Sequence, residues 1–247
     1  MRSLPFFKPA LFAAVQLLLC SFIHAQDNHL TNKEKNDGWQ LLFDGTSITK
    51  WKSAAADSFP SKGWAVIDNM LVIEDGEGHP TGGDIITREQ YKDFELTVDF
   101  KLSEGANSGI KYGVHIYNPA IPGLGTVIGP EYQLLDDDKH PDAKAGINGN
   151  RKLGSLYDIL PSSTVKALRP IGQWNTARIV SKGNHIEHFL NGIKVLEYDN
   201  SSERYSNAFA QSKFKSVTDF GKTGSGHILL QDHGHKIFFK NIKIRKL

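Results

Sequence analysis

The stretch TARIVSKGNHIEHFLNGIKVLEYD, residues 176–199, decides the fold. Apolar residues recur within it at strand-like intervals, and two turn signals interrupt them, Lys182-Gly183-Asn184 and Asn191-Gly192. Asn-Gly accepts the positive φ angles of a tight hairpin, so the segment predicts strands joined by turns. The same grammar extends in both directions. FELTVDFKL (94–102) sets Phe94, Leu96, Val98 and Phe100 against Glu95, Thr97, Asp99 and Lys101, the period of a half-buried strand. WAVIDNMLVIE (64–74) places an Asp-Asn turn between apolar flanks, and SGIKYGVHIY, EYQLLD and GHILLQDHGHKIFFKNIKIRKL continue the pattern. Amphipathic helix candidates are nearly absent, SNAFAQSKF (206–214) being the best. Many strands at short spacing without intervening helices predict an all-β protein, a β-sandwich or jelly roll.

Composition narrows the setting. The chain has 247 residues, 39% hydrophobic and 23% charged, which is ordinary for a globular protein. Its first 25 residues differ in kind: Arg2 and Lys8 precede the acid-free apolar run ALFAAVQLLLCSFIHA. That layout predicts a signal peptide over residues 1–25, cleaved near Ala25 and Gln26, and hence an exported protein, periplasmic or extracellular. No second run approaches the ~20 apolar residues of a membrane span. The lone cysteine, Cys20, lies in this leader and is a possible lipid-anchor acceptor. Losing Arg2 and Lys8 leaves 27 basic and 27 acidic residues, so no electrostatic argument favours nucleic acid or anionic lipid. Residues 26–37, QDNHLTNKEKND, read as a polar tether, and 38–247 as one domain. Two residue-rich loops, 117–130 and 136–155, interrupt the strands; long loops of this kind carry function more often than most.

Strand alternation sorts the polar residues. In GPEYQLLD, Glu131, Gln133 and Leu135 share one face; in NSGIKYGVH, Asn107, Gly109, Lys111, Gly113 and His115 do. Glu131 and Lys111 are then either an acid/base pair on a concave sheet or a cross-strand ion pair on an exposed one. The run DDDKHPD (136–142) is open to three readings: a calcium loop, an acid/base cluster with His140, or a solvated turn. Its acids lack the spacing of an EF-hand. Gln231, Asp232, His233 and His235 crowd the end of the chain, as part of a metal set with Gln231, His233 and His235 on one strand face, or as a turn held by Asp232. Tyr112 and Tyr157, near the loops, are candidate sugar platforms. No phosphate loop, nucleophile elbow or cofactor motif is present.

Taken in order, LFDGTSITKW (42–51), FELTVDFKL (94–102), NSGIKYGV (107–114), EYQLLDD (131–137), GSLYDILP (154–161), GQWNTARI (172–179), LNGIKVLEYD (190–199) and LLQDHGHKIFFKNIKI (229–244) resemble the 3-keto-disaccharide hydrolase domain family. The resemblance covers residues 38–247 and rests on serial order. It implies a concanavalin-like jelly roll of two curved antiparallel sheets with a site on the concave face. It also implies cleavage of glycosides whose glucose ring carries a ketone at carbon 3, by hydrolysis or 1,2-elimination. Under it, Glu131 or His140 is the base, Lys111 stabilises the enolate, and His140 or His233 protonates the leaving group. Gln133, Asn107, Tyr112, Asp136, Asp138, Arg151, Tyr157 and His233 would contact substrate. Family members often carry an arginine where this chain has Lys111-Tyr112-Gly113. A divalent metal in place of the lysine, a non-catalytic carbohydrate-binding module, and a two-carboxylate glycosidase acting on unoxidised sugars are the alternatives.

Overall fold

The computed structural model describes residues 26–222 and 224–247; the leader and Cys20 lie outside them. The chain opens with helix α1 (Asn32–Asn36), then β1 (Gln40–Leu41), β2 (Trp51–Ser53), β3 (Trp64–Ile67), β4 (Met70–Ile73), β5 (Ile85–Thr87), β6 (Phe94–Leu102) and β7 (Asn107–Ile121). It continues through β8 (Gly125–Ile128), β9 (Glu131–Leu135), β10 (Asn175–Lys182), β11 (His185–Leu190), β12 (Ile193–Asp199), helix α2 (Glu203–Phe209), β13 (His227–Leu230) and β14 (Ile237–Lys246). Two antiparallel sheets form an all-β jelly-roll sandwich. One runs β12-β11-β10-β6-β14-β4-β3 with β1 on β14; the other runs β2-β5-β13-β7-β8 with β9 also on β7.

The opening stretch forms the β10–β11–β12 meander, its Asn191-Gly192 turn carrying φ of 48° and 83°. Asp68 and Asn69, at φ 48° and 60°, close the β3–β4 hairpin. Phe94, Leu96, Val98, Phe100 and Leu102 all point into the core, as their alternation requires. The facing sheet contributes Ile110, Tyr112, Tyr132, Leu134, Ile228 and Leu230, so the core lies between the sheets and the outer face of the second sheet is free to build a site.

Two expectations change. Residues 26–37 are docked rather than loose. Thr31 caps α1 with a full capping box, Glu34 pairs with Lys243 at 2.7 Å, and Asp27 pairs with Lys240 at 2.7 Å. Asn28 is buried and exchanges hydrogen bonds with Asn241. A polar segment reads as a tether from composition alone, but here its polar groups match those of a strand bulge in β14. The second change is in β7. Gly113, at φ 55°, sits within a bulge against β13, so Val114, packed with Ile86 and Leu229, takes the face that alternation assigns to Gly113 and His115.

Among the described residues no helix is long and apolar enough to cross a membrane.

Candidate active site

The outer face of the second sheet carries a cleft of about 570 Å³. Its floor is built where β7 and β9 pair, Lys111 opposite Glu131 and Gly109 opposite Gln133. Walls rise from the β7–β8 hairpin (Leu124, Val127, Ile128), the 140–145 turn, Tyr157, and the segment after α2 (Lys213, Phe214). The walls bury Glu131 to 4% exposure although it points away from the core.

A strand alternation placed Glu131 here; a glycine lets it lie flat. A Cβ at Gly109 would stand 2.0 Å from Glu131 Oε1, so the absent side chain is what gives the carboxylate its berth across β7. With amides oriented to satisfy the network, the Gln133 and Gln231 nitrogens donate to Glu131 Oε1 at 3.0 and 3.1 Å. The Gln231 oxygen then accepts from Lys111 Nζ at 3.1 Å, bridging the anion to the cation. Burial pushes the Glu131 pKa up to about 7; the charge of Lys111 resists this, followed by that of Lys213, while Asp84 and Asp142 reinforce it. The group therefore titrates near neutrality, where a general base is most useful.

His140 joins through the turn that follows β9. Its backbone N–H donates to Asp136 O at 3.0 Å, and its Nδ1 accepts from Asp142 N at 3.2 Å, so a neutral ring carries its proton on Nε2. His233 also lines the cleft; burial first, then the charge of Lys111, lowers its pKa to about 4. Burial and neighbouring His235 push His140 below the ordinary histidine value as well. Both rings are neutral hydrogen-bonding groups at pH 7.

The structure gathers Glu131, Lys111, His140, Gln133, Asn107, Tyr157 and His233 into one cleft. Four other expectations are corrected. Tyr112 faces the core, its hydroxyl 2.8 Å from His188 Nε2 and 2.9 Å from Tyr198 Oη, because the strand period that exposes Lys111 buries its neighbour. Asp136 is buried and accepts from the backbone N–H groups of Gly105, Asp138 and Lys139 at 2.8, 3.1 and 3.2 Å. Asp138 is exposed and outside the cleft. Arg151 stands one layer behind, donating to Asp142 Oδ1 at 2.9 Å and to Asp158 Oδ1 at 2.7 Å. Asp137 is engaged too, with Leu153 N and Lys166. The acidic run is thus a turn whose carboxylates satisfy backbone and lysine, a common use of aspartate outside regular structure. Asp136→Ala would leave buried N–H groups without partners and is expected to cost about 2–3 kcal/mol in urea unfolding.

The end of the chain resolves the same way. β13 stops at Leu230 and Gly234 takes φ 76°, so Gln231, His233 and His235 do not continue one strand. Asp232 accepts from Thr81, Gly82, Gly83 and Gly234 N–H groups, holding the 81–83 loop in place. Among the described residues the grouping of acids and histidine with metal-like spacing is His185, Glu187 and Glu197, at the exposed edge of the other sheet, where Lys194 bridges both carboxylates.

One charged lining group, Lys213, escaped sequence reasoning; Asp142 and Gln231 were weighed there only as members of possible metal or acid/base clusters. Lys213 sits in SNAFAQSKF, the best helix candidate of the sequence, where nothing signalled a site. Asp142 is fixed by Arg151 and by Tyr157 Oη at 2.9 Å, while Asp158 accepts from Lys213 N at 2.8 Å, tying the two walls together.

A family model of the 3-keto-alpha-glucoside-1,2-lyase-like domain matches residues 38–245. A 3-keto-disaccharide hydrolase of Bacteroides thetaiotaomicron is 34% identical over 236 residues, 85% of this chain and 79% of that protein. A crystal structure of a candidate glycosyl hydrolase from Parabacteroides distasonis superposes with a TM-score of 0.77 at 34% identity, over 90% of this chain and all of the other. A second from the same organism gives 0.61 at 28% identity, over 85% and 99%.

Proposed function

The chain belongs to the 3-keto-alpha-glucoside-1,2-lyase-like domain family, and on that premise we propose that it cleaves the glycosidic bond of 3-keto-glycosides by elimination across carbons 1 and 2. One observation carries the reading: a buried carboxylate, Glu131, with its pKa raised to about 7, bridged by Gln231 to Lys111. A ketone at carbon 3 acidifies the hydrogen on carbon 2. Ionised Glu131 removes that proton, and the enolate oxygen that develops faces Lys111. The enolate re-forms the ketone while expelling the aglycone from carbon 1, leaving an unsaturated 3-ketone. Water added to that product at carbon 1 gives net hydrolysis, so lyase and hydrolase share the first step. Gln133, Asn107, Tyr157 and the neutral His140 and His233 supply donors and acceptors for the remaining hydroxyls and the ketone.

The two-carboxylate alternative requires a second acid across the bond. Asp136 and Asp137 are committed to backbone and lysine, Asp138 is outside the cleft, and the remaining lining carboxylate, Asp142, is held by Arg151 and Tyr157. A binding module, for its part, has no use for a titrating carboxylate buried at its floor. The leader over residues 1–25 supports export, placing the reaction outside the cytoplasm, with Cys20 as the anchor point if the chain is lipidated.

The test is a paired assay of a glucoside and its 3-keto counterpart, followed by aglycone release and enone absorbance. Release from the 3-keto compound should be faster by at least about a hundredfold, the lower end of the gain from one placed acid or base. Equal release from the unoxidised glucoside would overturn the elimination mechanism.

A further inference from the structure

The elimination expels an alkoxide unless a proton reaches the aglycone oxygen as the bond breaks, and the groups described so far do not supply it. Glu131 is the acceptor of the carbon-2 proton, and Lys111 lies beside it on the same floor, bonded to Gln231. The cleft histidines are neutral, and a neutral imidazole is a very weak acid. Tyr157 gives its hydroxyl proton to Asp142, and burial and that bond raise its pKa far above the ordinary phenol.

Lys213 remains. It lines the cleft from the wall segment after α2 and is exposed, with Nζ 4.5 Å from the centroid of the Tyr157 ring and 5.0 Å from that of Phe214. Its ammonium is in no ion pair among the described residues, whereas Arg151 and Lys166 nearby are each engaged with carboxylates. Its main chain is pinned by Asp158, which Arg151 holds in turn. A substrate whose carbons 2 and 3 reach Glu131 and Lys111 on the floor must leave its aglycone toward the mouth, where Lys213 waits. Desolvation lowers the pKa of the ammonium from the ordinary lysine value, against the pull of the Glu131 charge.

We infer that Lys213 is the general acid that protonates the departing aglycone oxygen. The inference rests on the elimination reading above. As the carbon 1–oxygen bond breaks, its electron pair stays on the oxygen, which takes a proton from Nζ and leaves as an alcohol. The enolate electrons form the carbon 1–carbon 2 double bond, and the carbon-3 ketone is restored. Lys213 is left neutral and Glu131 protonated; one proton passing through solvent at the mouth resets both.

Leaving-group dependence separates this role from a structural one. Lys213→Gln and Lys213→Arg would be compared with the unaltered chain on 3-keto-glucosides of methanol, phenol and 4-nitrophenol. The variants should lose about a hundredfold on the methyl compound, the usual worth of a placed acid, and only a few-fold on the 4-nitrophenyl compound, whose leaving group needs no proton. Arginine keeps the charge but cannot give up the proton, so it should behave like glutamine. Equal losses on all three substrates, or full activity of Lys213→Arg on the methyl compound, would overturn the assignment while leaving the elimination intact. No cleavage of any 3-keto-glucoside by the unaltered chain would overturn both.

Discussion

Glu131→Gln is expected to lower turnover on a 3-keto-glycoside by at least about a thousandfold, at the upper part of the range for a lost general base, while binding of an uncleaved glycoside persists. The substituted amide keeps the volume of the side chain but cannot accept the carbon-2 proton. A pure carbohydrate-binding module would show no such division, so equal retention of binding and any measured turnover would remove Glu131 from catalysis. The pH profile sharpens the expectation. With its pKa raised to about 7, Glu131 is protonated and idle in acid, so kcat/KM should climb toward a plateau above that pH, and the climb should vanish in the variant. Stability moves the other way. A carboxyl whose folded pKa exceeds its unperturbed value of 4.5 contributes stability fully present below that value and lost as pH rises through about 7. The shift corresponds to an upper bound of ~3 kcal/mol. Glu131→Gln should therefore flatten the loss of melting temperature between pH 5 and 8, gaining stability where it loses function.

Gly109→Ala comes next in size. Its φ is not in the left-handed region, so alanine is compatible with the backbone and reduces the entropy of the unfolded chain. The added carbon, however, falls 2.0 Å from Glu131 Oε1 and 2.6 Å from its Cδ. The nearest atoms belong to a side chain, so the carboxylate yields and the strand pairing remains. A displacement of an ångström or more at a reacting group costs on the order of a hundredfold or above. A fall of several hundredfold in kcat, with an unaltered urea midpoint, is the expected pair of results. Loss of folding together with activity would instead mean that Gly109 serves the sheet.

The fold and the floor of the site were legible for the same reason. Period-2 alternation is a geometric property of a strand, so it put Phe94, Leu96, Val98, Phe100 and Leu102 in the core and Glu131, Gln133, Asn107 and Lys111 on one outer face. The same rule, read strictly, excludes Tyr112 from the cleft, where composition had recommended it. It fails at Gly113, because a bulge inserts a residue and resets the phase. The walls were less legible. Asp136 and Asp138 look like site acids in a list of residues, but a turn's first need is to satisfy its own N–H groups. Arg151 entered only through the family resemblance and stands one layer behind the cleft; Lys213 was passed over because a lone lysine in a short helix candidate carries no pattern.

The docked N-terminal segment has a consequence for how the molecule presents itself. Asp27, Asn28 and Glu34 are fastened to Lys240, Asn241 and Lys243 on the larger sheet, whereas the cleft opens from the outer face of the other. The described chain thus begins, at Gln26, on the side of the sandwich away from the cleft. A support coupled at Asp27 or Glu34 would hold the sandwich by its back and leave the mouth of the cleft turned outward.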